Sequence, residues 1–190
     1  MKITIKELAP ELLADYLRFF DTMVFSENPD WANCYCYESY FTGSAEDWTK
    51  DNNRTAVINL IEKGTMTGYL AFDKDKPVAW LNINKRNTFP SLERFRKITV
   101  DRSENICSVV CFVIHPDYRG QGMATQLLQK AISDYTSRPF DFMEAYPGKG
   151  DLSCEKHYKG PLSMYEKAGF QLFKEYDQLY VVRKSLQQTP

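Results

Sequence analysis

The strongest constraint on this chain is an unbroken succession of three pieces: an apolar run, a glycine turn and an amphipathic helix. Ser108–Ile114 (SVVCFVI) is almost continuously apolar, the pattern of a strand covered on both faces. Over Met123–Tyr135, Ala124, Leu127, Leu128, Ala131, Ile132 and Tyr135 recur at helical spacing. Between them, Arg119-Gly120-Gln121-Gly122-Met123-Ala124 must reverse the chain within a few residues. Glycine permits such a turn and lets a ligand approach the backbone closely. The first N–H groups of a helix have no partner inside it, and the helix dipole adds positive character there. Together they form a site for phosphate oxygens, to which Arg119 adds charge. The local physics therefore predicts an anion at this turn, a pyrophosphate above all. On these residues alone, a glycine turn with no ligand remains the alternative.

The flanking sequence is read by the same periodicities. Lys2–Lys6 alternates as a strand, and Leu12, Leu13, Tyr16, Leu17, Phe20 and Met23 follow at helical spacing behind Pro10. Ser26–Trp48 is aromatic and aperiodic, a loop with short helical turns. Asn53–Lys63 reads as a helix ended by Gly64. Tyr69–Phe72 and Pro77–Asn84 read as a hairpin around Asp73-Lys74-Asp75-Lys76. Phe89–Ile98 reads as a short helix and Phe140–Ala145 as a strand. Pro147–Gly160 is a polar loop and Ser163–Ala168 a short helix before Gly169. Phe170–Tyr176 and Leu179–Lys184 close the pattern as paired strands, with a frayed tail from Ser185. No internal repeat appears, and 190 residues at 43% hydrophobic fit a single domain over residues 1–190.

Several function classes are disfavoured. A net charge of −1 is a poor match to a phosphate backbone, so no nucleic acid partner is expected. No apolar run reaches the ~18 residues of a transmembrane helix, so no membrane partner is expected either. The N-terminal residues carry scattered charges and no cleavage pattern, and five Cys without an export signal fit reduced thiols in the cytoplasm. Neither G-x-x-x-x-G-K-[ST] nor G-x-G-x-x-G occurs, which disfavours Walker-type and Rossmann nucleotide sites.

FVIHPDYRGQGMATQLL resembles the acetyl-CoA signature of the GNAT N-acetyltransferase superfamily: Arg119, Gly122 and Ala124 fall on its [RQ]-x-x-G-x-[GA] positions. Downstream, Met164-Tyr165-Glu166-Lys167-Ala168-Gly169-Phe170 resembles a second family segment, at the end of a helix. The resemblance implies an α/β fold, a mixed, mostly antiparallel, curved sheet with helices on both faces. It implies direct transfer of an acetyl group from acetyl-CoA to an amine, carried by a small molecule or a peptide. The backbone of Phe112, Val113 and Ile114 would pair with the pantetheine arm as an added strand does. The stretch Arg119, Gly120, Gln121, Gly122, Met123, Ala124 and Thr125 would hold the pyrophosphate. An N–H near Phe112 or Val113 would polarise the thioester carbonyl. A homodimer is a family-level expectation.

Tyr165 matches the family's tyrosine that protonates the departing thiolate, and a phenol remains protonated at neutral pH. Glu144 sits where relatives carry a catalytic base, with a structural Glu paired to a cation as the alternative. Trp31, Cys34 and Tyr35 of the aromatic loop, with Trp80 and Tyr146, are candidates to line an acceptor pocket by cation–π contact; core packing is the alternative. The family's Asn between the Glu strand and the Tyr helix is missing, and His157 and Tyr158 stand in a longer loop there. Cys34-x-Cys36 with Cys154-x-x-His157 offers four zinc-type ligands at an unusual spacing, and no metal is expected. The rival function is a CoA-binding sensor without turnover.

Overall fold

A computed structural model of the chain describes residues 2–22, 24–25, 29–94, 98, 104–150 and 157–187. Among them, seven strands form one sheet: β1 Ile3–Glu7, β2 Gly68–Asp73, β3 Lys76–Lys85, β4 Ile106–Ile114, β5 Phe142–Ala145, β6 Gln171–Glu175 and β7 Tyr180–Ser185. The strand order is β1-β2-β3-β4-β5-β7-β6. Neighbours pair antiparallel except β4 and β5, which run parallel. Parallel neighbours need a crossover, and the helix between them supplies it. The helices are α1 Leu13–Thr22, α2 Lys50–Glu62, α3 Ser91–Arg94, α4 Met123–Tyr135 and α5 Leu162–Lys167. This is the mixed, mostly antiparallel sheet with helices that the family resemblance implies.

Period-two alternation splits the core into two layers. On β2, Leu70 and Phe72 join Tyr16, Phe19 and Phe20 of α1 and Val57 and Ile61 of α2 on one face. Tyr69 and Ala71 join Met123, Leu127, Leu128 and Ala131 of α4 on the other. Successive strand residues point to opposite faces, so a strand covered on both must be apolar throughout.

Helix ends follow local chemistry. Thr49 starts α2 by accepting the Asn52 N–H at 3.2 Å, three residues ahead of the expected start. The expected hairpin turn narrows to Lys74-Asp75, with Lys74 at φ 55. The strand expected from Phe140 begins at Phe142.

One irregularity matters for the site. Asn82 pairs with Cys111 but Ile83 pairs with Val109, which leaves Val110 as an extra residue on β4. Val110 and Cys111 therefore both turn toward the α1–α2 layer, while Val109 and Phe112 belong to the α4 layer.

Candidate active site

A cleft of about 350 Å³ opens where β4 gives way to α4. Phe112, Val113 and Ile114 form one wall, and the turn from Arg119 to Thr125 forms another. Gly120 and Gly122 take φ of 70 and 76, and a Cβ on either would meet nothing within 4 Å. Left-handed backbone rather than crowding requires glycine here. Gly122 is the N-cap of the 13-residue α4 and offers no side-chain cap, so the first-turn N–H groups are not satisfied by it. Gln121 does not line this cleft; its side-chain amide donates to the Asp117 carbonyl at 2.7 Å and braces the turn. Tyr118 adds a second brace, donating to Asp73 at 2.9 Å.

β4 and β5 pair from Ile106–Phe142 to Val109–Ala145, and among the described residues no strand pairs with β4 on this side beyond that point. A different segment fills the gap. The Phe112 N–H donates to the Tyr158 carbonyl at 2.5 Å. The next carbonyl, that of Lys159, accepts from the Tyr165 hydroxyl at 2.6 Å. Two consecutive carbonyls thus hold the Tyr165 hydroxyl and the Phe112 N–H, one of the two N–H groups the resemblance offers for the thioester carbonyl. Gly160 closes the segment at φ 78, and a Cβ there would lie 3.0 Å from the Tyr165 hydroxyl. Tyr165 is fully buried, and burial, with Cys111 adding to it, pushes its phenol well above the ordinary value. The group stays protonated at neutral pH, as a proton donor must.

A second cleft of about 250 Å³ lies on the other side of Val113. It shares Phe25, Trp31, Val113 and Tyr158 with the first. The bulge residues Val110 and Cys111 face it, together with Cys34, Cys36, Glu38 and Trp48. The turn carrying these groups is strained: Tyr35 and Cys36 take left-handed φ of 45 and 53. Such conformations persist only where the surroundings over-determine them. Tyr16 donates to the Tyr35 carbonyl at 2.7 Å and Asn82 to the Cys36 carbonyl at 3.2 Å. The Tyr35 hydroxyl donates to Asp21 at 2.6 Å.

The sequence expectations divide accordingly. Trp31 and Cys34 line the second cleft. Tyr35, Trp80 and Tyr146 do not: each is almost wholly buried, and their rings fill the core. Trp80 packs edge-on against Tyr16 at 5.0 Å, and Tyr35 anchors the strained turn. Glu144 is corrected as well. It is 1% exposed and lines neither cleft. Its Oε2 accepts from Arg86 Nη1 at 2.9 Å, its Oε1 from Arg183 Nε at 2.7 Å. Tyr146 donates to Oε2 at 3.0 Å, and Ser108 lies 2.7 Å from the Tyr146 hydroxyl. A carboxylate engaged on both oxygens between two guanidiniums has a structural role, not that of a base facing the amine. Sequence reasoning missed Glu38, Val110, Cys111 and Trp48. In an aperiodic aromatic loop a lone Glu carries no signal, and a bulge within an all-apolar run leaves no mark on periodicity.

Cys154 of the four zinc-type ligands lies outside the described residues; among the described residues, no group of three or more His, Cys, Asp or Glu is placed to hold a metal ion. Nor is any helix among them long and apolar enough to cross a membrane.

Residues 25–170 match the model of the acetyltransferase (GNAT) family. No curated protein matches the chain. Among solved structures, the PaiA N-acetyltransferase of Thermoplasma acidophilum in complex with coenzyme A is similar at 13% identity and TM-score 0.56, covering 97% of this chain and 99% of that one. An N-acetyltransferase of Staphylococcus aureus is similar at 14% identity and TM-score 0.57, covering 98% and 100%. An acetyltransferase of the GNAT family from Streptococcus pneumoniae is similar at 17% identity and TM-score 0.56, covering 97% and 99%. At these identities the likeness speaks to the fold.

Proposed function

The chain belongs to the GNAT family of acetyl-CoA-dependent N-acyltransferases, and from that premise we propose that it acetylates an amine bound in the second cleft. The observation that carries this reading is the meeting of the two clefts at Val113, Trp31 and Tyr158. One can take an extended phosphorylated cosubstrate and the other a compact acceptor, with reacting ends side by side. Holding two reactants in such an arrangement supplies much of the rate of a bimolecular transfer.

Acetyl-CoA supplies the activated thioester. The turn suits its pyrophosphate: Gly120 and Gly122 leave open space above the backbone, and no side chain caps α4. Arg119 lines the same cleft and adds positive charge. The Phe112 N–H is the candidate donor to the acyl oxygen, and Tyr165 the candidate acid for the thiolate. Both become available when the Tyr158 and Lys159 carbonyls give way, so loading of the first cleft and exposure of the donors are one event. Removing a donor of the first kind typically costs ~10²–10³ in rate.

Calorimetric titration with acetyl-CoA, beside a Gly122→Glu variant, tests the reading. Tight binding that the folded variant loses is the expected result. A wild type that fails to bind would overturn the proposal. One observation favours a second reading, a CoA sensor without turnover: both donors are already engaged. CoA binding with no release of free thiol across a panel of amines would select it.

A further inference from the structure

One wall of the first cleft holds a polar atom that the free protein does not use. The His157 Nδ1 is buried and has no hydrogen-bond partner, although the residue as a whole is half-buried. His157 lines the first cleft beside Gly160, Pro161 and Met164, and it is not among the residues that line the second. A buried polar atom left unpaired costs free energy, so such atoms are few in folded chains and call for an explanation. The cleft supplies one, because a ligand carrying hydrogen-bonding groups along its length can provide the partner.

The chain around His157 narrows the ligand. His157 precedes Tyr158, whose carbonyl accepts from the Phe112 N–H at 2.5 Å on the β4 edge assigned to the arm of the thioester. The phosphate end belongs instead to the turn that opens α4. The Gly160 N–H donates to the His157 carbonyl at 2.7 Å and closes residues 157–160 into one turn. That turn also sets the Lys159 carbonyl on the Tyr165 hydroxyl at 2.6 Å. A shift of the turn therefore frees Phe112 and Tyr165 and carries the His157 ring with it. Nδ1 is covered while the turn is seated, so the same shift is its route to a partner.

We propose that His157 is a binding residue for the amide-bearing arm of the acyl thioester. As the arm takes the Phe112 edge from the Tyr158 carbonyl, the ring turns onto the arm, and Nδ1 shares a hydrogen bond with one of its amide or hydroxyl groups. The proposal rests on the acetyltransferase reading and adds a residue to it. A turn whose seat leaves one polar atom unpaired is easier to dislodge, and contact with the arm then satisfies that atom. Loading the cosubstrate, releasing the two donors and pairing Nδ1 are thus one movement.

Calorimetry with two probes separates the arm from the phosphates: acetyl-CoA, and phosphoadenosine diphosphate, the nucleotide half of CoA without the arm. His157→Leu removes the polar atoms, and His157→Asn keeps a hydrogen-bonding group near the place of Nδ1. His157→Leu is expected to weaken acetyl-CoA binding about tenfold, the scale of one hydrogen bond lost from a desolvated site, and to leave phosphoadenosine diphosphate unchanged. Its Tm should equal or exceed that of wild type, because an apolar side chain replaces a buried polar atom that has no partner. His157→Asn should stay within about threefold of wild type for acetyl-CoA. Unchanged acetyl-CoA affinity in His157→Leu, an equal loss for both probes, or a His157→Asn no better than His157→Leu would overturn the proposal. So would a fall in Tm of more than about 4 °C in His157→Leu, which would mark a structural role. A wild type that binds phosphoadenosine diphosphate and gains nothing from the arm would overturn the proposal alone. One that binds neither probe would overturn the acetyltransferase reading with it.

Discussion

Removing the Glu144 carboxylate should damage the fold far more than it damages the chemistry directly. Glu144 and Arg86 are 1% and 2% exposed, and their charges meet at 2.9 Å. Arg183 completes the network at 2.7 Å and reaches on to Glu104 at 2.9 Å. Glu144→Ala would break a buried ion pair by removing the carboxylate that Arg86 and Arg183 share, a change that typically costs about 3–5 kcal/mol. For a chain of this length each kcal/mol lowers Tm by about 2–4 °C, so a fall of roughly 6–20 °C is expected. Glu144→Gln keeps the shape and part of the hydrogen bonding and should fall between the two. Thermal and urea unfolding give the stability, and acetyl-CoA titration below the transition gives the state of the site. The folded variant should still bind acetyl-CoA, because Glu144 lines neither cleft. A Tm within about 2 °C of wild type, together with loss of amine acetylation, would refute the reasoning and return Glu144 to the chemistry.

Three further outcomes follow from particular contacts. Gly160→Ala forces a Cβ to within 2.6 Å of the Met164 Cε in a left-handed backbone, so it should destabilise the chain by about 1–2 kcal/mol. By disturbing the segment that holds Phe112 and Tyr165 it should also change acetyl-CoA affinity in calorimetry; an unchanged affinity would sever that segment from the site. Tyr16→Phe leaves the Tyr35 carbonyl buried without its donor, a loss of about 1–3 kcal/mol in urea unfolding, and should raise KM for the amine more than for acetyl-CoA. Burial alone would raise the Asp21 carboxyl, but hydrogen bonds from Arg54 and Tyr35 outweigh it and hold it below its ordinary value. The lowered folded value means that Asp21 stabilises above the ordinary carboxylate range and loses that effect as pH falls through the folded value. The urea-midpoint gap between wild type and Asp21→Asn should therefore be constant near neutrality and close below about pH 4.

Much of the scaffold is legible in the chain. α4 occupies Met123–Tyr135, the range that its apolar spacing predicts, because an amphipathic helix on a sheet has one face to bury and its period records it. The glycine turn is legible for the same reason: a left-handed backbone at Gly120 and Gly122 restricts the residue type, so the constraint appears in the residues themselves. The two clefts are less so. Trp31 and Trp80 are the same residue type, yet one lines a cleft and the other packs under Tyr16 in the core. Glu144 reads as a candidate base because it sits where relatives carry one, with a Glu paired to a cation as the alternative; Arg86 and Arg183, remote in sequence, make it a buried ion-pair partner.

The sequence by itself determined the local items: which segments are strands and helices, where a left-handed glycine turn opens a helix, and which residue types are available for chemistry. Tertiary structure alone decided how they are used. The Val110 bulge sends two successive side chains to one face, and the Tyr158 and Lys159 carbonyls come to rest on Phe112 and Tyr165. The physical reason is range. Backbone preference and periodicity act between residues a few positions apart and leave a pattern in the chain. Burial, ion pairing and the capture of one segment's donors by another depend on residues brought together only by folding, and no local pattern encodes that meeting.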